Sequence, residues 1–215
     1  QDACIFPRTV RENIIMGGRH LYKDCNDEIL GESCDNDVID ALKTANAWEF
    51  CNGLPDGLHT WIVSGGGSGN GADTFNSLLN LSKNGDNSCR AIDVNGGEGI
   101  NEEEAGNDRM GLSGGQSARI GIARAIMRKA PILLLDEAFS NLDAKSERII
   151  QLELKKISKK QKKTVIAISH QLESLDWVDQ IIVLQNGEVH EIGTYQQLSS
   201  KVNGIFASML RQKKS

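Results

Sequence analysis

The chain has 215 residues, 39% hydrophobic content and a formal charge of -5, with a sequence pI near 5.4. That length sustains one sizeable domain or two small ones, and the acidic balance argues against a general nucleic-acid-binding surface. The longest apolar runs, such as Ile132 to Leu135 and Ile181 to Leu184, fall far short of the ~20 residues that cross a bilayer.

Cys4, Cys25, Cys34, Cys51 and Cys89 form an odd, irregular set without a CxxC pair. This fits a reducing compartment better than a disulfide framework or a zinc site. The chain opens on Gln1 without the basic and apolar regions of a signal peptide, and it reads as a piece of a longer protein.

Near the start, a turn is expected at Pro7, followed by Thr9 and Glu12 in capping-box spacing, so a short helix should begin there. From Asp35 to Phe50 the apolar positions Val38, Ile39, Leu42, Ala45 and Trp48 or Phe50 recur at helical spacing, and Leu54-Pro55-Asp56-Gly57 closes the segment as a turn. His59 and Trp61 are read as structural. Ser64 to Gly111 is rich in Gly, Asn, Ser and Asp, carries the run Glu102 to Glu104, and has the composition of a solvated low-complexity insertion. At its start, Trp61 to Val63 just before it, Gly66 to Gly71 and the apolar Phe75, Leu78 and Leu79 imitate a strand, phosphate loop and helix. Ala72 and Asp73 stand where a lysine and a hydroxyl residue would be needed, so the stretch is read as a look-alike.

Leu112 to Asp143 carries the chemistry. Leu112-Ser113-Gly114-Gly115-Gln116 places a hydroxyl and two glycines at a helix start, where free backbone N–H groups and the helix dipole favour an anion such as phosphate. Ile132 to Leu135, entered through Pro131, has the pattern of a parallel strand buried on both faces. Asp136 and Glu137 follow at its carboxyl end, the edge where open α/β sheets bind ligands, and two carboxylates there suit a metal ion and an activated water.

Past Asp143, Ile150, Leu154 and Ile157 share a helical face, and Lys155 to Lys163 ends the helix in a lysine-rich run read as a solvated, dipole-matched terminus. Binding of acidic lipid or nucleic acid is the sharper alternative for that run. Thr164 to Ile168 is the next buried strand, which delivers Ser169 and His170 to the edge holding Asp136 and Glu137 if the two strands are parallel neighbours. Asn186-Gly187 between Ile181–Leu184 and Glu188–Ile192 predicts a hairpin with a type I′ turn, and Thr194 with Gln197 predicts a second capping box. Lys201 to Ser215 is expected to form a short helix with a basic tail.

LSGGQ followed by an arginine-containing helix, then ILLLDEA and SNLD, resembles the signature motif, Walker B strand and D-loop of an ATP-binding cassette (ABC) ATPase. The combination is highly specific, although any one piece recurs in unrelated folds. Gln1 with Thr9 to Ile14 is similar to the Q-loop region of ABC exporters, and Ile166 to His170 lies at the H-loop position. The stretch from Asp37 to Ile62 is similar to the helical subdomain of exporter cassettes.

The resemblance implies a RecA-like P-loop NTPase α/β core with a parallel sheet, an ABC helical subdomain and a C-terminal β-hairpin. The corresponding divisions are 1–63 (Q-loop and helical subdomain), 64–111 (insertion), 112–200 (signature helix, Walker B, D-loop and H-loop) and 201–215 (helix and tail). It implies ATP and Mg2+ as cofactors. Asp136 and Gln1 would serve the metal, Glu137 would be the general base and His170 would contact the terminal phosphate. Ser113, Gly114, Gly115 and Gln116 would face ATP held by a second nucleotide-binding domain, with Asp143 at the same dimer interface.

Transmembrane domains are the other implied partner, no nucleic acid is expected, and the location is the cytoplasmic face of a membrane. No G-x-x-x-x-G-K-[ST] occurs in the chain, so the N-terminal Walker A part is missing and the polypeptide alone is expected to be inactive. The alternatives are a soluble ABC-type ATPase acting on DNA or ribosomes, and a non-catalytic piece that cannot bind ATP alone.

Overall fold

The structure, a computed structural model, describes residues 3–18, 32–64 and 109–212. These fall into two compact units, one built from residues up to 43 and from 47 to 128, the other from residues 44–46 and 129 onward. The phosphate-loop look-alike and the glutamate run lie outside the described residues, as does Gln1.

In the first unit a three-stranded sheet has β2 (Trp61–Ser64) at its centre, antiparallel to β1 (Arg8–Thr9) and parallel to β3 (Met110–Leu112). Helix α1 (Val10–Gly18) starts where Thr9 and Glu12 cap it reciprocally: the Glu12 N–H donates to Thr9 Oγ1 at 3.2 Å and the Thr9 N–H to Glu12 Oε2 at 2.9 Å. The helical stretch predicted from Asp35 to Phe50 is two helices, α2 (Glu32–Thr44) and α3 (Trp48–Asn52). Asn46 between them takes a left-handed φ of 52°, which the short polar side chain of asparagine tolerates and which ends the helical ladder.

Helix α4 (Gly114–Met127) crosses α1 at very close range. A Cβ on Gly17 would meet the Arg124 carbonyl oxygen at 1.9 Å, so only glycine fits. The buried Asn13 is the polar centre of this crossing: its Nδ2 donates to the carbonyls of Phe6 at 2.9 Å and Thr9 at 3.0 Å, and its Oδ1 accepts from the Phe6 N–H at 3.1 Å. Arg124 donates to the Asn13 carbonyl at 2.9 Å, to Asn13 Oδ1 at 2.8 Å and to the Cys4 carbonyl at 2.8 Å, while its guanidinium lies 4.9 Å from the Phe6 ring. One arginine thereby satisfies backbone groups at the entry to α1 and ties them to α4.

The second unit holds a parallel pair, β4 (Ile132–Asp136) and β5 (Thr164–Ile168), joined by the crossover helix α5 (Ala144–Gln161). Leu135 in β4 is buried, as are Ile150 and Leu154 of α5. The opposite face differs from the expectation of strands buried on both sides. Ile132 (59%), Leu134 (63%), Ile166 (47%) and Ile168 (52%) stand exposed. Apolar residues on both faces were read correctly as sheet-core character; their burial was not.

The hairpin β6 (Ile181–Gln185) and β7 (Glu188–Gly193) turns at Asn186 and Gly187, whose φ values of 53° and 84° are those of the predicted I′ turn. Thr194 and Gln197 form the predicted capping box of α6 (Tyr195–Ser199). Leu172, Leu175, Ile181, Val183, Leu198, Phe206 and Leu210 make the core between this hairpin and α7 (Ile205–Gln212). Buried Glu191 on β7 accepts from Lys201 Nζ at 2.9 Å and from the Phe206 N–H at 3.0 Å. That Lys201 contact, followed by the backbone donor, holds its carboxyl below the usual range.

The α1–α4 crossing predicts the cost of closing its gap. Gly17→Ala should destabilise the chain by about 2 kcal/mol, read as a lowered urea midpoint with an unchanged slope.

Candidate functional site

The carboxyl ends of β4 and β5 are held together past the last ladder pair, Asp136 and Ile168. The Glu137 N–H donates to the Ile168 carbonyl at 3.0 Å while Glu137 itself turns into the left-handed region at φ 47°. Residues other than glycine rarely adopt that conformation, and it persists only where the surroundings fix it. Here the strand bond on one side and the turn bonds from Ser140 N–H to the Glu137 carbonyl (3.1 Å) and from Leu142 N–H to the Phe139 carbonyl (3.0 Å) fix it.

The result is that two side chains leave the ends of neighbouring strands and meet. His170 Nδ1 lies 3.3 Å from Glu137 Oε1, with both side chains about half exposed (58% and 49%). Strand alternation puts the Asp136 side chain on the same face as Ile132 and Leu134. The Ser169 hydroxyl accepts from the Gln171 N–H at 3.0 Å, shaping the turn on which His170 sits.

The parallel order that the sequence reading required for this meeting is present. Among the described residues no group of three or more His, Cys, Asp or Glu side chains could enclose a metal ion. A single carboxylate such as Asp136 fits instead a magnesium-like ion, which takes one or two protein carboxylates and completes its shell with phosphate and water.

Asp143 ends the loop from β4 and caps α5, its Oδ1 accepting from the Ser146 N–H at 2.9 Å. The Ser146 side chain first, and its backbone N–H second, keep the Asp143 carboxyl below the ordinary aspartate value.

Ser113, Gly114, Gly115 and Gln116 open α4, in the other unit. Ser113 is the N-cap. Gln116 N–H donates to Ser113 Oγ at 3.3 Å, and the Ser113 N–H donates to Gln116 Oε1 at 2.9 Å. This closed capping box was legible in the S-x-x-Q spacing but was not read there. It uses the side chains of Ser113 and Gln116 to pre-shape the exposed turn. Arg119, one turn on, donates to the Gly115 carbonyl at 3.3 Å and sits 4.9 Å from the Phe50 ring.

Sequence reasoning passed over the 3-10 helix Leu172–Trp177 and the polar contacts that anchor it. Ser174 Oγ donates to buried Glu147 Oε1 at 2.7 Å, and Trp177 packs edge-on to Phe139 with centroids 6.4 Å apart.

Parallel strands delivering two carboxylates and a histidine to their carboxyl edge, in a chain that also carries a glycine-rich helix start, define an α/β nucleotide-handling class. Residues 1–140 match the family model described as ABC transporter. The chain belongs to the ABC transporter family, with the nucleotide-binding-domain fold of the exporters. It is 35% identical over 202 residues to the ABC-type transporter fsqE of Aspergillus fumigatus, covering 94% of this chain and 11% of that protein. An ATP-dependent lipid A-core flippase of Methylobacillus flagellatus is 32% identical over 212 residues, covering 99% of this chain and 27% of the flippase. The structure of a bacterial Atm1-family ABC exporter with ATP bound aligns over all of this chain and 28% of its own, with TM-score 0.65 and 25% identity. The chain thus spans about a tenth to a quarter of the length of these relatives. No helix among the described residues is long and apolar enough to cross a membrane.

The cap at Asp143 has a pH signature. A carboxyl whose folded pKa is depressed contributes stability above its unfolded pKa and loses it as pH falls through the folded value. Asn caps helices as well as Asp does. Asp143→Asn should therefore lose less stability than the wild type below about pH 4, measured by urea unfolding across that range.

Proposed function

We propose that this chain supplies the hydrolytic edge of an ABC exporter cassette and the phosphate-facing helix start of the partner cassette's site. The observation that carries this reading is the meeting of Glu137 and His170, 3.3 Å apart at the ends of parallel neighbours. ATP is the substrate, and its hydrolysis drives export by transmembrane domains of the same transporter, at the cytoplasmic face of the membrane.

Asp136, with Gln1, serves the magnesium site, and the ion neutralises phosphate charge when bound. Glu137 accepts the proton of the attacking water. Its fixed backbone aims the carboxylate at one place, which is how a positioned base contributes to the rate. His170 donates toward the terminal phosphate, and its contact with Glu137 orients both. Phosphoryl transfer asks for little covalent help, so positioned charge of this sort is most of what the protein contributes.

Ser113 to Gln116 act in the second site. The Gly114 and Gly115 N–H groups, which the capping box leaves unused, and the dipole of a 14-residue helix favour an anion, and the partner that brings it is a second nucleotide-binding domain. Asp143 belongs to the same dimer interface. The insertion from 64 to 111 separates the helical subdomain from this helix start in sequence.

In the full-length transporter, Glu137→Gln should cut ATP turnover at least 100-fold, the scale of a general base, while ATP-dependent dimerisation survives. Unchanged phosphate release would refute the assignment. For the isolated chain, which contains no G-x-x-x-x-G-K-[ST], titration with labelled ATP and magnesium should reveal no micromolar binding, because the loop that supplies most phosphate contacts is absent from its sequence. Saturable micromolar binding would overturn that part.

A further inference from the structure

We infer that Glu147 and Ser174 are positioning residues for His170, acting by bracing the 3-10 helix that follows it against the helix that follows Glu137. The inference rests on the reading of Glu137 and His170 given above.

His170 sits two residues before Leu172–Trp177, so the placement of that short 3-10 helix sets the placement of the imidazole. A six-residue 3-10 helix has poor hydrogen-bond geometry of its own and takes its position from what it packs against. Three contacts reach it from the segment after Glu137. Trp177 packs edge-on to buried Phe139. Asp176 receives two hydrogen bonds from Arg148, one of them 3.0 Å, but both partners are 47% exposed and such pairs hold weakly. Ser174 donates to Glu147 Oε1 at 2.7 Å, and Glu147 is 6% exposed.

The last contact is the strongest of the three, because a short hydrogen bond to a buried carboxylate is difficult to replace with water. Glu147 is itself fixed on both sides. Its N–H donates to the Asp143 carbonyl at 2.9 Å in the first turn of α5, and Gln151 Nε2 donates to its Oε1 at 2.6 Å. Gln151 is 1% exposed, and among the described residues its own Oε1 has no partner. The chain of contacts runs from the loop carrying Glu137, through the capped start of α5, to Glu147, Ser174 and the turn bearing His170. Both reacting side chains are therefore referred to one frame.

The test is steady-state ATPase kinetics of the full-length transporter. Ser174→Ala should lower kcat about tenfold, as a small misplacement of a reacting group does, with KM for ATP within twofold, and Ser174→Thr should restore kcat. Gln151→Leu is a second variant of similar size that removes the donor to buried Glu147; with its folding checked by urea unfolding, it should lower kcat by roughly threefold. In a His170→Ala background Ser174→Ala should cost nothing more, because it acts only through His170.

An unchanged kcat in both Ser174→Ala and Gln151→Leu would overturn the inference. So would a full tenfold loss from Ser174→Ala when His170 is already alanine. If His170→Ala and Glu137→Gln both keep wild-type turnover, the reading of the site falls and the brace falls with it. If those two variants lose turnover and Ser174→Ala does not, only the brace falls.

Discussion

The second unit turns on one backbone hydrogen bond, from the Glu137 N–H to the Ile168 carbonyl. It extends the parallel ladder by one bond past the last pair while the Glu137 backbone has already swung to φ 47°. Without it the left-handed residue would have nothing to hold it, and the carboxylate would sweep a wide arc. With it, a strained residue at the end of one strand is pinned to the end of the next, two residues before His170. The strain and the proximity have one cause.

That bond also explains why the crossover between the strands matters more than its sequence suggests. Helix α5 returns the chain from β4 to β5, as a parallel connection must. Its first turn carries the Asp143 cap and Glu147, its middle carries Ile150 and Leu154 into the core, and only its last turns are lysine-rich and solvated. The N-terminal end is chemical, the centre is structural and the C-terminal end is soluble. A single hydrophobic periodicity reports only the centre.

Most of the architecture was legible because its signals are local. Asn186-Gly187 demands a I′ turn, Thr9 with Glu12 and Thr194 with Gln197 are capping boxes, and the strand ending in Asp136-Glu137 needed only a parallel neighbour to bring His170 close. What was not legible depends on tertiary context. The helix break at Asn46 is a single left-handed residue inside an otherwise unbroken 3.6 pattern. The 3-10 helix at Leu172–Trp177 has no 3.6 period to find. Glu147 lies in the charged string Lys145-Ser146-Glu147-Arg148 and looks like a solvated face, yet it is buried while Arg148 next to it is not. Burial on both faces of β4 and β5 was inferred from composition, but composition states what a face wants and not what lies over it.

The two compact units treat a helix N-terminus in two different ways. At α4 the N-terminus is shaped by its own Ser113–Gln116 box, which takes the Ser113 and Gln116 N–H groups and leaves those of Gly114 and Gly115 outside it. At α7 the corresponding terminus is occupied internally by buried Glu191, which takes the Phe206 N–H and a lysine besides. A helix start satisfied by a buried carboxylate is closed to outside ligands. A start capped only by its own first turn leaves Gly114 and Gly115 bare, and two residues without side chains let a bulky phosphate approach the backbone. The distinction between a structural helix terminus and a binding one is thus set by which groups already answer its dipole.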